Sequence, residues 1–538
     1  MRRQKQLEQL NPNKIFDLLI IGGGATGCGV ALDAASRGLK VALVEMNDFA
    51  EGTSSRSTKL VHGGVRYLEA AIKKFDRVQY NLVKDGLHER YTLLKNAPHL
   101  SNRLPLVTPI YRWIDVPYVY AGLKLYDLLA GKRGIGHSRL LSRKAALQRF
   151  PTVKAAGLKA GVLYYDGQFH DARMALSLAL TAREQGATIA NHVRVCELVK
   201  NNGQVCGARL EDRITGESWQ IAARGIINAT GPFADQIRRL DSANAAPILS
   251  ASSGIHIVLD KSFAPPDTGL LIPETDDGRV LFVLPWEGHA LVGTTDEPAE
   301  ISEHPKAQEA EIDYLLKHIG RYFNLQVSRQ DIQAVWSGLR PLVRDPAASD
   351  TAQLARDHVI EISASGLLTI AGGKWTTYRK MAEDTVNEAL KQFGLSPPHK
   401  TCQTEQLPLI GGKDYRETIQ PELQKNFAFS AEIAAYLQRT YGDQAFEVAK
   451  LATADGGKLL CQGHPILEAE VVYAVRHEMA ERVIDLLARR TPLALVDQAA
   501  SRAVIGRVAE LMAKELEWDE KRIEIEMALA EERLNEAI

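Results

Sequence analysis

The chain has 538 residues, 45% of them hydrophobic and 24% charged, with a formal net charge of -1. That length buries a large core in roughly two to four structural units, and the near-neutral balance gives no footing for nucleic acid as a partner. No apolar run reaches the ~18 residues a membrane span needs, the first residues lack the apolar centre of a secretory signal, and five cysteines (28, 196, 206, 402 and 461) without C-x-x-C spacing read as reduced cytosolic thiols.

Phe16 to Ile21 is a short apolar run that reads as a buried parallel strand, and it leads directly into Gly22-Gly23-Gly24-Ala25-Thr26-Gly27. An alanine-rich helix is expected over Val30 to Arg37, ended by Gly38, and a second strand over Leu39 to Val44, closed by Glu45. This is the strand, glycine turn, helix, strand and acid of a dinucleotide site. Gly22 makes the tight turn, Gly24 lets a diphosphate approach the backbone, and Gly27 lets helix and strand pack closely. Free N–H groups at the helix start face the phosphates, Ala25 and Thr26 are cofactor contacts, and Glu45 accepts from an adenosine ribose.

The hydroxyl-rich stretch that follows carries Thr53, Ser54, Ser55, Ser57 and Lys59, and then the turn His62-Gly63-Gly64. Serines and threonines suit a ribityl chain and phosphates, and a His-Gly-Gly turn lets backbone approach a flat ring. A second strand–G-x-G-x-x-G unit is absent, so a single long dinucleotide, FAD, is favoured over a nicotinamide.

Further along, 69–97 reads as a helix. The stretch from Ile110 to Arg133 mixes aromatic, apolar and basic residues, which fits either an interfacial helix or a helix packed on its own domain. Ala187 to Leu198 reads as a strand returning to the dinucleotide domain, with Val193 as a cofactor contact. A meander is expected over Gly203–Leu210 and Ser218–Ala222, and a separate strand over Gly225–Ala229 ends in Ala229-Thr230-Gly231, a second junction for backbone N–H groups. Alternating strands at 254–259, 269–272, 280–285 and 290–294 make an antiparallel substrate sheet. Leu367 to Ile370 ends in Gly372-Gly373-Lys374-Trp375-Thr376, a third junction, with Gly373, Lys374 and Thr376 as cofactor contacts. After Pro397-Pro398, helices are expected near 430–440, 467–489, 494–516 and 519–535.

The expected fold is α/β, α+β overall. A Rossmann-like FAD domain of the glutathione-reductase/D-amino-acid-oxidase type is interleaved with an antiparallel substrate sheet and followed by a helical domain. The boundaries read as FAD segments 14–98, 161–246 and 336–396, a cap segment 99–160, a substrate sheet 247–335 and a helical unit 397–538.

The runs Gly22–Gly29, Thr53–Glu69, Asn228–Asp235, Trp336–Val343, Gly372–Arg379 and Glu470–Arg490 resemble, together, the FAD-dependent glycerol-3-phosphate dehydrogenases, and the resemblance covers most of the chain. It implies oxidation of sn-glycerol 3-phosphate at C2 to dihydroxyacetone phosphate, hydride transfer to flavin N5, and delivery of electrons to quinone. It also implies a cytoplasmic enzyme held peripherally on the inner membrane surface, with a homodimer left open. By motif matching, Arg340 and Arg356 take the substrate phosphate, and Arg66, Tyr67, His256 and Lys374 line the same site. A dianionic phosphomonoester requires such cations on physical grounds as well. His62 and His256 are both candidates for the base at the C2 hydroxyl, and Lys374 or the helix after it for stabilising the reduced flavin. Catalytic candidates are therefore His62, His256, Arg340 and Lys374. No His, Cys, Asp and Glu set has ligand spacing, so no metal is expected. An oxygen-using glycerol-3-phosphate oxidase is the alternative. A non-catalytic flavin scaffold and an amino-acid oxidase are less consistent with the phosphate-binding set.

Overall fold

The computed structural model describes residues 3–64, 77–344, 358–452 and 457–536. Two sheets and a helical unit build the molecule, as the α/β reading expects.

In the first sheet Ile15–Ile21 is central, paired in parallel with Val41–Val44 on one side and Ser218–Asn228 on the other. Leu368–Gly372 and Thr188–Ala190 extend it outward, also in parallel. Helix Ala25–Ser36 covers one face together with Asp171–Glu184 and Tyr378–Gln392. A strand covered on both faces must be apolar throughout, and Leu18, Leu19 and Ile20 are fully buried.

The second sheet is assembled from three distant stretches of chain. Ser101–Ile110 pairs antiparallel with Ala160–Phe169 along its whole length, and Leu249–Leu259 pairs with both His289–Gly293 and Ile332–Val343. The structure therefore moves two boundaries. Ala160–Phe169 and Ile332–Val343 belong to this sheet, so the chain returns to the dinucleotide sheet after Phe169 and after Val343 rather than at 161 and 336. Both strands look alike from sequence, since burial on either sheet requires the same apolar pattern.

Other expectations shift in detail. Ser218–Asn228 is one continuous strand, half in an antiparallel hairpin with Gln204–Asp212 and half in the parallel sheet. The stretch from Ala187 to Leu198 is broken instead, because His192 adopts φ +54° between Thr188–Ala190 and Val193–Asn201. The expected 467–489 helix ends at His477, and Met479 takes φ +58° before a short turn and a π-helical segment, Leu486–Arg490.

The helical unit shares a core with the second sheet: Leu60, Trp336 and Tyr164 are in one buried cluster with Tyr436, Leu487 and Leu534. Helix Asp115–Ala130 buries Leu123 and Tyr126 on one face. Trp113, Ile114, Tyr118 and Leu128 are 66%, 78%, 55% and 75% exposed, so an apolar surface is turned to solvent there.

Candidate active site

A cleft opens at the carboxyl ends of the parallel strands, where ligands bind in open α/β sheets. Its wall includes Gly22, Gly24, Ala25, Thr26, Glu45, Thr53, Ser54, Val193, Ala229, Gly231, Gly373 and Lys374. Gly22 has φ +111°, and a Cβ there would come 2.6 Å from the Ala229 carbonyl oxygen. A Cβ at Gly27 would overlap the Gly22 carbonyl, so that position locks helix to strand. Gly24 is the N-cap of helix Ala25–Ser36, and the first N–H of the helix, that of Ala25, donates to Ser54 Oγ at 2.9 Å, with the positive helix end at the cleft wall. The Glu45 carboxylate accepts from the N–H groups of Gly23 at 2.6 Å and Asn47 at 2.9 Å. Burial pushes Glu45 up to about 7, with Glu51 and Asp48 adding to the rise and the two N–H bonds opposing it.

The segment Thr53–His62 joins this cleft to the second sheet. Thr53 Oγ1 donates to the Leu339 carbonyl at 2.5 Å, and Trp375 Nε1 donates to the Ser54 carbonyl at 2.8 Å. The pairing His256↔Trp336, Gly254↔Gly338 and Ser252↔Arg340 puts all six residues on one sheet face. The two glycines open the middle of that face. The backbone of Arg56 packs against Gly338, and the Arg340 guanidinium packs against Gly254.

His256 stacks on Trp336 at 4.1 Å between ring centroids, and its Nε2 is 2.9 Å from Thr58 Oγ1. Its Nδ1 is buried with no hydrogen-bond partner among the described residues. Burial first, then the charges of Lys59 and Arg340, hold His256 well below the ordinary histidine range, so the imidazole is neutral. Arg340 donates to Asp296 Oδ1 at 3.1 Å, Thr294 Oγ1 at 3.1 Å and the Thr295 carbonyl at 2.8 Å. The arrangement places a neutral base and a guanidinium beside each other, beneath the segment that leaves the dinucleotide cleft.

Residues 17–379 match the family model "FAD dependent oxidoreductase", and residues 402–523 match "C-terminal domain of alpha-glycerophosphate oxidase". The chain is 47% identical to the mitochondrial glycerol-3-phosphate dehydrogenase of Rattus norvegicus over 98% of its own length and 74% of that protein's. It is 48% identical to the probable mitochondrial glycerol-3-phosphate dehydrogenase of Caenorhabditis elegans, with the same coverage. The crystal structure of the glycerol-3-phosphate dehydrogenase from Bacillus halodurans complexed with FAD superposes with a TM-score of 0.81 at 30% identity, covering 99% of this chain and 97% of that one.

The chain belongs to the FAD-dependent glycerol-3-phosphate dehydrogenase family. Its cofactor is FAD, and the glycine cradle, the helix N-terminus with the Ser54 hydroxyl on it and the Glu45 carboxylate in one cleft fit the diphosphate and ribose of such a group.

The other expected site residues of this family member take different places. Ser57 and Lys59 turn away from the cleft to Asp171: the Ser57 N–H and Oγ donate to Oδ2 at 3.0 and 2.7 Å, and Lys59 Nζ donates to Oδ1 at 2.7 Å. Lys59 is fully buried between Trp286 and Trp336, where only a paired cation is tolerated. These bonds anchor the loop that carries Ser57 and Lys59 to the helix that begins at Asp171. Ser55 Oγ donates weakly to the Gly52 carbonyl at 3.5 Å.

The His62 N–H donates to Thr376 Oγ1 at 3.2 Å, which joins the His-Gly-Gly turn to the third strand junction. The Gly63 N–H donates to Tyr126 Oη at 2.7 Å; Tyr126 donates in turn to Asp166 Oδ1 at 2.9 Å, where Arg90 Nη1 is also bound at 2.6 Å. Gly64 is buried beside this turn. Arg66, Tyr67 and Arg356 lie outside the described residues.

Asn47 and Glu51 in the cleft wall were not assigned from sequence, and Thr230 and Trp375 were placed only as members of their strand junctions. Trp375 was within reach, being inside a quoted motif, whereas Glu51 is recognisable only once the loop after Glu45 is folded. One group of possible ligands, Asp48, His192 and Asp485, comes together among the described residues. Arg489 and Arg490 already bind both carboxylates, so the group is an ion-pair network.

Proposed function

We propose that the protein oxidises sn-glycerol 3-phosphate at C2 to dihydroxyacetone phosphate, its FAD receiving the hydride at N5, and that the electrons then pass to quinone at the cytoplasmic surface of the inner membrane. The observation that carries the reading is the sheet face on which neutral His256 and Arg340 lie side by side, under the Thr53–His62 segment that comes from the cofactor cleft. The names of the relatives, all glycerol-3-phosphate dehydrogenases, agree with it.

Arg340 supplies a fork for the phosphate, exchanging part of its bonding to Thr294 and Asp296 for charge-assisted bonds to phosphate oxygens. Lys374, in the cleft wall, adds a second positive charge. A neutral imidazole is needed to take the hydroxyl proton, and His256 meets that condition through Nδ1, which has no hydrogen-bond partner among the described residues. His62, in the turn joined to Thr376, is the other candidate.

The exposed apolar surface of Trp113, Ile114, Tyr118 and Leu128, flanked by Lys124, Lys132 and Arg133, supports peripheral attachment to an anionic membrane. Among the described residues no helix is long and apolar enough to cross a membrane.

The test is anaerobic. Adding sn-glycerol 3-phosphate should bleach the flavin band, and a quinone analogue should restore it much faster than air. Rapid recovery in air with peroxide formation would instead make the protein an oxidase, and absence of bleaching would overturn the substrate. His256→Asn should lower the bleaching rate by about 10²–10⁴-fold with FAD still bound. If only His62→Asn does so, the base is His62.

A further inference from the structure

The wall of the FAD cleft between Glu45 and Thr53 is formed by Met46, Asn47, Ala50, Glu51, Gly52 and Thr53. Asp48, in the middle of that loop, points away from the cleft and is fully buried. Its carboxylate accepts from Arg490 Nη1 at 2.6 Å, Arg490 Nη2 at 2.9 Å, Arg489 Nε at 2.6 Å and Asn191 Nδ2 at 2.9 Å. Both arginines come from the π-helical segment Leu486–Arg490 of the C-terminal unit.

The same arginines are held from behind. Arg489 Nη2 donates to Asp485 Oδ1 at 2.7 Å, and Arg490 Nη2 donates to the Glu478 carbonyl at 2.8 Å. Glu478 forks with Arg173, at 2.7 and 2.9 Å, on a helix that packs against the dinucleotide sheet. Asp485 also meets His192 Nε2 at 2.9 Å and accepts from the N–H groups of Glu481 and Arg482. None of Asp48, Arg173, His192, Glu478, Asp485, Arg489 and Arg490 is more than 4% exposed.

Glu51 joins the cleft to this network. Glu51 lines the cleft, and its carboxylate faces Arg489 at 3.3 Å and Arg533 at 3.4 Å, while its Oε2 accepts from the Asp48 N–H at 3.2 Å. Burial works to raise Glu51, but Arg489 and Arg533 bring it down to about 2, so it stays anionic and bound to them.

Buried ion pairs seldom outweigh their desolvation against an apolar alternative, but they do impose one geometry, because any other leaves a charge unpaired in the interior. Here the geometry imposed is that of the cofactor loop. The break at Met479 is what aims the two arginines: a straight helix through 467–489 would not turn at Glu478 and again at Asp485 to converge on Asp48.

We propose that Arg489, Arg490 and Arg533 of the C-terminal unit are positioning residues for the Met46–Thr53 loop, so that the grip on FAD is set by docking of that unit. The proposal rests on the FAD site alone and is independent of substrate and electron acceptor.

The test is FAD binding to apoprotein, followed by quenching of flavin fluorescence, alongside melting of the apo and FAD-loaded forms. Asp48→Asn and Arg490→Lys each keep a polar group but lose the charged fork. Each should raise the FAD dissociation constant by about tenfold or more and shrink the gain in melting temperature that FAD gives. Glu51→Gln and Arg533→Gln, at the partly exposed edge of the network, should fold in any case and raise the constant by about three- to tenfold. A purely structural network would lower both melting temperatures equally and leave the dissociation constant within about twofold, and that result would overturn the proposal. If the buried variants fail to fold, the two edge variants decide the matter by the same criterion.

Discussion

Glu45 is partly buried in the cleft wall and pushed up to about 7, so its effect on the cofactor-free protein has a definite sign. The folded chain holds the Glu45 proton more tightly than the unfolded chain does. The stability this confers is complete below the unfolded value of about 4.3 and is lost as pH rises through about 7. Apoprotein melts at pH 5 and pH 8 should therefore differ more for the native chain than for Glu45→Gln, and equal differences would refute the assignment. Arg340 holds the substrate phosphate under the proposed function. Arg340→Lys keeps the charge and loses the fork, so KM for sn-glycerol 3-phosphate should rise about tenfold while flavin content is unchanged. A fall in flavin content with constant KM would place Arg340 in cofactor binding. Both residues could be picked out by type and motif. The anchoring of Lys59 by Asp171 could not, because a lysine in a hydroxyl-rich loop gives no sign that its partner lies on a helix more than a hundred residues on.

At the scale of elements, the first strand and glycine turn read directly, since a doubly covered parallel strand and a phosphate turn each leave a local pattern. Gly27→Ala tests the close packing it implies. The added methyl meets the Gly22 carbonyl, so destabilisation of about 1–3 kcal/mol and a loss of bound flavin are expected. Helix Asp115–Ala130 is legible as an aromatic, apolar and basic segment, interfacial or buried, but which apolar side chains face outward depends on what the other face covers. Leu123 and Tyr126 are taken by the core, leaving Trp113, Ile114 and Tyr118. Trp113→Ser with Ile114→Ser should cut co-sedimentation with anionic vesicles by about tenfold or more without changing the melting temperature. Unchanged sedimentation would remove this helix from the membrane contact.

For the molecule as a whole, the helical unit and the second sheet share one hydrophobic cluster, and the Asp48 and Glu478 ion pairs cross from the dinucleotide sheet to that unit. A chain ending near Pro397 would expose the apolar half of that cluster and leave Asp48 and Arg173 without their partners. It should be insoluble or free of flavin, since removing one partner of a buried pair costs about 3–5 kcal/mol. A soluble, yellow 1–396 fragment would show that the two parts are independent.

The sequence by itself determined the cofactor turn, the acid that closes the second strand, the α/β class and the family, because each rests on residues close together in the chain or on runs of distinctive motif. Only the tertiary structure decided that Ala160–Phe169 and Ile332–Val343 join the second sheet, that His256 lies beside Arg340, and that the expected 467–489 helix breaks at Met479. Those facts are pairings between distant segments. Buried strands of either sheet carry the same apolar pattern, and a helical sequence gives way where buried charges from another part of the chain require its arginines to turn.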